Sequence, residues 1–132
     1  NADRMHKNTQ EWLSELRFIK DEHLFFEDLI KSYTLELLKP QKFVKNKEVI
    51  DKISQSKKRN KMFIEAVKVH ANKLQIMLDD IIQPLEEEAY KKEHINLIID
   101  ISDFEKKYRK LKRKLFDIIK TIKKQQKLSL LI

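Results

Sequence analysis

Apolar side chains recur at alternating steps of three and four residues along almost the whole chain. This spacing keeps apolar groups on one side of an α-helix, whereas a half-buried strand needs alternation at every second residue. The pattern forms three seams, so it predicts an all-α chain with coiled-coil-like packing. The seam positions are Trp12, Leu16, Ile19, His23, Phe26, Ile30, Tyr33 and Leu37; Ile50, Ile53, Lys57, Asn60, Ile64, Val67, Ala71, Leu74, Leu78, Ile81 and Leu85; and Tyr90, His94, Leu97, Ile101, Phe104, Tyr108, Leu111, Leu115, Ile118 and Ile122.

Two prolines indicate where the helices end. Pro40 lacks a backbone N–H and disfavours helix in the residue before it, so we expect the chain to turn there. Pro84 is one candidate for the second turn. The other is the stretch 93–100, because Ser102 and Glu105 have the spacing of a capping box. We predict a single domain over 1–132, built from three long antiparallel helices at about 5–38, 43–85 and 88–127.

The chain contains no glycine and no cysteine among its 132 residues. The lack of glycine argues against glycine-rich phosphate loops, nucleophile elbows and multi-stranded β folds. The lack of cysteine excludes disulfides, thiolate nucleophiles and zinc fingers. No apolar run is long enough for a membrane span, and the first twenty residues have no signal-peptide pattern, so the expected location is cytoplasmic.

Polar residues interrupt the first two seams at a similar height. If the first turn is centred near residue 42, His23 lies opposite about residue 61, close to Asn60 and one turn from Lys57. We predict a buried polar layer of these three residues, in which a hydrogen bond from His23 to Asn60 fixes the register. The alternatives are a ligand pocket and a polar group that reaches solvent.

The four histidines are the candidate metal ligands or acid–base groups: His6, His23, His70 and His94. None follows a glutamate by three residues, as di-iron helical bundles require, and neither His-x-x-x-His nor His-Glu-x-x-His occurs. The predicted register gives His70 a hydrogen bond to Glu15, with an acid–base pair as the alternative. We predict no catalytic residue, no metal, no cofactor and no small-molecule substrate.

Positive charge concentrates in one segment of the third helix. Residues 106–127 hold eleven Lys or Arg and one acid, Asp117, so this segment carries +10 and the rest of the chain −2. The candidate anion-binding stripe consists of Lys106, Arg109, Lys110, Arg113, Lys120, Lys123, Lys124 and Lys127. These side chains are predicted to point away from the core, with Phe116 as the only aromatic residue nearby. The stripe is either a solvated face or a docking surface for an anionic partner.

Phe18, Phe25 and Leu29 flank the first seam, and Phe18, Leu24 and Phe25 are candidates for an exposed patch. A helix that contacts two neighbours needs a wide apolar face, so core packing is one interpretation. The other is an exposed patch for self-association, since large exposed apolar patches usually mark interfaces.

The run Glu11-Trp12-Leu13-Ser14-Glu15-Leu16, followed by Phe18, Asp21-Glu22 and Phe25-Phe26, resembles the first helix of small uncharacterised helical proteins of Bacteroidetes-type bacteria. The resemblance covers about twenty residues. It implies a tryptophan-containing first helix followed by two long helices, and it implies no activity.

The sequence thus favours a non-enzymatic helical scaffold or protein-interaction module that self-associates. Its expected partner is a second copy or another helical protein. The alternative is a basic-helix binder of nucleic acid or an anionic membrane surface through residues 106–127.

Overall fold

The computed structural model describes residues 1–79 and 84–131, and the regular secondary structure of these residues is entirely helical. Helix α1 spans Ala2–Ser32, α2 spans Thr34–Leu37, α3 spans Phe43–Asp79 and α4 spans Pro84–Leu130. The predicted all-α class is confirmed. At a rise of about 1.5 Å per residue, the 47 residues of α4 form a rod of roughly 70 Å.

The three long helices run up, down and up. Contacts between α3 and α4 pair rising with falling residue numbers, as in His70 with His94 and Phe63 with Phe104. Helix α1 is likewise antiparallel to α3. Helices α1 and α4 are therefore parallel to each other, and the stripe segment of α4 runs beside the second half of α1.

The core lies along the seam between the three long helices. Its members are Leu13, Leu16, Ile19, Phe26, Leu37, Val49, Ile53, Ile64, Val67, Ile101, Phe104, Tyr108, Leu111, Leu115, Ile119 and Ile122. Each fully buried large apolar side chain contributes roughly 1.5–3 kcal/mol to folding. Most of these positions are predicted seam residues, because the repeat of three and four residues places them on one helix face.

The first helix differs from its predicted range of 5–38. It starts at Ala2, where the Asn1 side chain accepts a hydrogen bond from the Arg4 backbone N–H at 2.9 Å. It ends at Ser32, and Tyr33 separates it from α2 with φ −114° and ψ 20°. The Thr34 hydroxyl donates to carbonyls of the preceding turn, a local bond that bends helices.

The second and third helices also differ from their predicted ranges of 43–85 and 88–127. Helix α3 ends at Asp79 and α4 already begins at Pro84, since proline fits the first turn of a helix. Leu85 therefore belongs to α4 and is 86% exposed, so its assignment to the second seam is wrong. Ser102 lies inside α4, and the alternative turn at 93–100 is wrong. Ile81 lies outside the described residues.

Candidate functional site

The buried polar layer has different partners from those predicted. His23 Nε2 lies 3.0 Å from Ser56 Oγ, and Asn60 Nδ2 donates to the Leu16 carbonyl at 2.9 Å. His23 and Asn60 are both buried, but the predicted hydrogen bond between them is wrong. The third predicted member, Lys57, is only half-buried.

The ammonium of Lys57 lies outside the buried layer, near the surface, where it forms an ion pair with Glu27 at 2.6 Å. The register explains these corrections. The partner of His23 is Ser56, four residues before the predicted Asn60, so the register at His23 differs from the prediction by about one helical turn. The residues around the α2 break take up this difference.

A series of hydrogen-bonded polar groups connects all three long helices at the other end of the bundle, and its two histidines, His70 and His94, are buried. Asn8 Nδ2 donates to His94 Nε2 at 3.1 Å, His94 Nδ1 lies 2.8 Å from His70 Nε2, and His70 Nδ1 lies 3.2 Å from Glu93 Oε1. The His70 ring also stacks on Tyr90 at 4.1 Å. The partner of His70 is therefore Glu93 of α4, and the predicted bond to Glu15 is wrong.

Every hydrogen bond of this series has one donor and one acceptor when both histidines are neutral. Each ring then accepts one hydrogen bond and donates the next, so the series ends on the Glu93 carboxylate. Burial lowers the pKa of both His70 and His94. Burial alone would raise the pKa of Glu93, but hydrogen bonds from Lys73 and His70 outweigh it and hold that pKa below its usual value.

The series of hydrogen bonds from Asn8 to Glu93 has a structural role, because it joins α1, α3 and α4. The described residues contain no group of three His, Asp or Glu side chains placed to hold a metal ion. The imidazole nitrogens of His70 and His94 are engaged with each other and with Glu93 and Asn8.

The eight stripe residues all lie exposed on the outer side of α4. Within residues 1–79 and 84–131, none of the eight has a carboxylate within ion-pair distance. Other lysines of the same helix are paired, for example Lys107 with Asp103 and Lys112 with Glu22. The stripe is thus the part of α4 whose charge the described fold leaves uncompensated.

A groove between α3 and α4 places further basic residues next to the stripe, and these were not predicted to lie near it. Its volume is about 300 Å³. Its basic lining residues are Lys52, Arg59, Lys107, Lys110 and Lys114, and none of the residues that line it is acidic. Lys110 belongs to both the stripe and the groove. The cations of α3 were missed because only packing brings them beside α4.

Exposed aromatic rings also lie closer to the stripe than predicted. Phe25 and Phe116 both contact the buried ring of Phe26, with centroid distances of 6.0 and 5.5 Å. The prediction that Phe116 is the only aromatic residue near the stripe is wrong, because Phe25 of α1 contacts the same buried ring. The signal is the heptad position of Phe25 on α1, which becomes meaningful once α1 and α4 are known to be parallel.

The three predicted self-association residues are all exposed but do not share one surface. Phe18 and Phe25 are seven residues apart and lie on the same face of α1. Leu24 is displaced by about 100° around the helix from Phe25. Phe18 lines a groove of about 580 Å³ between α1 and α4.

Three carboxylates line the same groove as Phe18. Glu22 accepts hydrogen bonds from the Tyr108 hydroxyl and the Lys112 ammonium. Burial, together with the neighbouring Glu15 carboxyl, raises the pKa of Glu105 to about 7. Arg109 and Lys112 line the same groove, so carboxylates and cations are mixed at this end of the α1–α4 face.

The fold and these surfaces define a three-helix bundle with one uncompensated cationic face. Comparison of the chain with known protein families, curated proteins and solved structures found no match in any of the three. In the part of the chain that the structure describes, no helix is long and apolar enough to cross a bilayer.

Proposed function

We propose that this chain is a non-enzymatic helical interaction module that binds nucleic acid through the cationic face of α4. The observation that carries the proposal is that all eight stripe residues are exposed and have no carboxylate partner among the described residues. A polyanion would supply the missing counter-charges.

The stability of the bundle does not explain why cations are clustered on one face of α4. Like charges three or four residues apart on a helix destabilise it by a few tenths of a kcal/mol per pair, and Arg109 with Arg113 and Lys120 with Lys124 are such pairs. The bundle keeps its apolar seam on the opposite side of α4, so exchange of these cations would leave the core intact. A binding role explains why one face collects so many of them.

The geometry favours nucleic acid over a membrane surface. An interfacial helix buries an apolar face in the lipid, flanked by its cations. The apolar face of α4 is already packed against α1 and α3, and the outer side of residues 106–127 is almost entirely charged. The segment from Lys106 to Lys127 is roughly 32 Å long, which is the length of about ten successive phosphates along one strand with stacked bases.

Charge reversal of the stripe tests the proposal. The variant Arg109→Glu, Lys110→Glu, Arg113→Glu and Lys120→Glu should bind a fluorescein-labelled oligouridine at least about a hundredfold more weakly than wild type at low salt. Fluorescence anisotropy measures the affinity, and circular dichroism checks that the helix content is unchanged. The physical reason is the loss of half of the phosphate contacts and the added repulsion.

A matched control carries the same change in net charge on another face. Lys47, Lys58, Lys61 and Lys68 are exposed on α3 and lie away from α4 and from its groove. Their simultaneous replacement by Glu should reduce the affinity far less. Equal losses in both variants would mean that net charge alone governs binding, and the stripe would then not be a site.

Self-association through exposed aliphatic residues is a second candidate function. These side chains gather in the half of the bundle away from the stripe, on α3 as Met62, Val69 and Ile76 and on α4 as Ile95, Ile98 and Ile99. The seven-residue spacing on α3 is that of a coiled-coil seam. The row on α3 supports association better than the predicted patch, in which only Phe18 and Phe25 share a helix face.

Sedimentation of wild type and two variants tests self-association. We expect wild type to sediment as a dimer or larger and Val69→Glu to sediment as a folded monomer, because a buried unpaired carboxylate is costly at an apolar interface. Phe25→Glu should leave the association unchanged. A wild-type monomer at every protein concentration would remove this candidate.

A further inference from the structure

Two exposed phenyl rings at the edge of the stripe contact the same buried ring, that of Phe26. Phe25 of α1 is 55% exposed and Phe116 of α4 is 39% exposed. Both rings pack edge-on against Phe26, with interplanar angles of 61° and 85°. The fully buried Phe26 therefore holds the two rings in a fixed position at the surface, where parts of both remain open to solvent.

Cations of the stripe surround this pair. Arg109 and Lys123 stand seven residues before and after Phe116, in the same column of α4. Arg113 and Lys120 stand three residues before and four after it, on adjacent turns. All four are exposed and free of ion pairs within the described chain. The rings thus lie among uncompensated positive charges.

We propose that Phe25 and Phe116 form a stacking platform for the bases of a single-stranded nucleic acid whose phosphates contact the stripe. This inference rests on the proposed function and names its ligand more closely. Every nucleobase has an aromatic face, and proteins that bind single strands combine such rings with a cationic track.

The arrangement selects a single strand over a duplex. Bases in a duplex are stacked on each other, so their faces are not open to a protein ring, whereas an unpaired strand can turn its bases outward. The packing of both rings on Phe26 also lowers the entropy lost on binding, since the rings are already ordered. A duplex would contact only the cations.

The platform ends before Phe18. This ring lies one heptad earlier on α1, about 10.5 Å along the helix, in the groove lined by Glu15, Glu22 and Glu105. A phosphate chain is repelled there by the uncompensated Glu15 carboxylate. The strand is therefore expected to stay on the outer side of α4, along the whole stripe from Lys106 to Lys127, and not to enter this groove.

Three probes of about ten nucleotides separate stacking from charge. They are oligouridine, an abasic strand with the same number of phosphates, and a duplex of the same length. Wild type should bind oligouridine more tightly than the abasic strand by about fivefold to 150-fold for each stacked base. Phe25→Ala and Phe116→Ala should each remove one such factor and leave abasic binding and the salt dependence unchanged.

Two further variants control for packing and for general loss of aromatic surface. Phe25→Leu keeps apolar volume against Phe26 but lacks the ring, so it should behave like Phe25→Ala while the melting temperature stays close to that of wild type. Phe43→Ala removes a ring that is 41% exposed at the start of α3 and should not change the affinity.

The outcomes distinguish the platform from the proposed function. Equal wild-type affinity for oligouridine and the abasic strand, unchanged in the phenylalanine variants, overturns the platform but leaves the cationic binding face in place. Binding that survives charge reversal overturns the proposed function itself. Tighter binding to vesicles of phosphatidylserine and phosphatidylcholine, weakened by Phe25→Leu, would assign the rings to a membrane and overturn the platform.

Discussion

A fourfold rise in salt, from about 50 to 200 mM, should weaken the binding of oligouridine by roughly 2,000-fold. Each phosphate contact releases condensed counterions, and for single strands the slope of log K against log salt is about −0.7 per contact. If the eight stripe cations each contact a phosphate, the slope is about −6. The eight are free to do so because no carboxylate of the described chain pairs with them.

Anisotropy titrations over a series of salt concentrations measure this slope directly. The charge-reversed variant, which retains Lys106, Lys123, Lys124 and Lys127, should give a slope of about −3. The α3 control variant should keep the wild-type slope. A wild-type slope between 0 and −2 would show that at most three phosphates are bound, and the stripe could then not be the principal contact surface.

Acidification below pH 6.5 should strongly destabilise the bundle. Burial lowers the pKa of His23, His70 and His94 in the folded chain, whereas the unfolded chain titrates near 6.5. As the pH falls through 6.5, the unfolded state binds protons that the folded state does not. The stability is therefore fully present above 6.5 and is lost towards lower pH, at about 1.4 kcal/mol per pH unit for each proton.

Charged neighbours also affect the pKa values of two of these histidines. His70 faces Glu93, which favours its charged form, and Lys73, which opposes it. His23 faces Glu27 and Lys57 in the same opposed way. In both cases burial is the dominant cause of the lowered pKa.

Glu105 acts in the opposite direction. Its folded pKa of about 7 lies above the value of 4.5 for a free side chain, so acidification between these values favours the folded state by up to one proton. The lowered pKa values of three histidines act against the raised pKa of this single group, so the net effect of acidification is destabilising.

Urea unfolding at pH 7.5, 6.5 and 5.5, followed by helical circular dichroism, measures this dependence. The double variant His70→Gln and His94→Gln should lose most of the pH dependence, because glutamine has no proton to take up. His6→Gln changes an exposed histidine and should keep the wild-type dependence. A free energy of unfolding that is constant across this range would contradict the prediction.

The helices and their inward faces could be predicted because they depend on local order. Steps of three and four residues place Leu16, Ile53 and Leu115 on the inner side of their helices wherever the neighbours stand. The same periodicity places Arg113 and Lys120 on the outside of α4. Only the helix ends were misplaced, because capping by Asn1 and the break at Tyr33 depend on single side chains and backbone angles.

Only the tertiary structure decided which residues of different helices lie next to each other. The number of residues used in the first turn set the register, and a shift of about one helical turn gave His23 to Ser56 instead of Asn60. The third helix then supplied Glu93 to His70. The parallel packing of α1 and α4 placed Phe25 and Phe116, which are ninety-one positions apart in the sequence, in contact with the same ring, Phe26. A single helix fixes which way a side chain points, but the neighbour it meets depends on turn length and on the rotation of one helix against another.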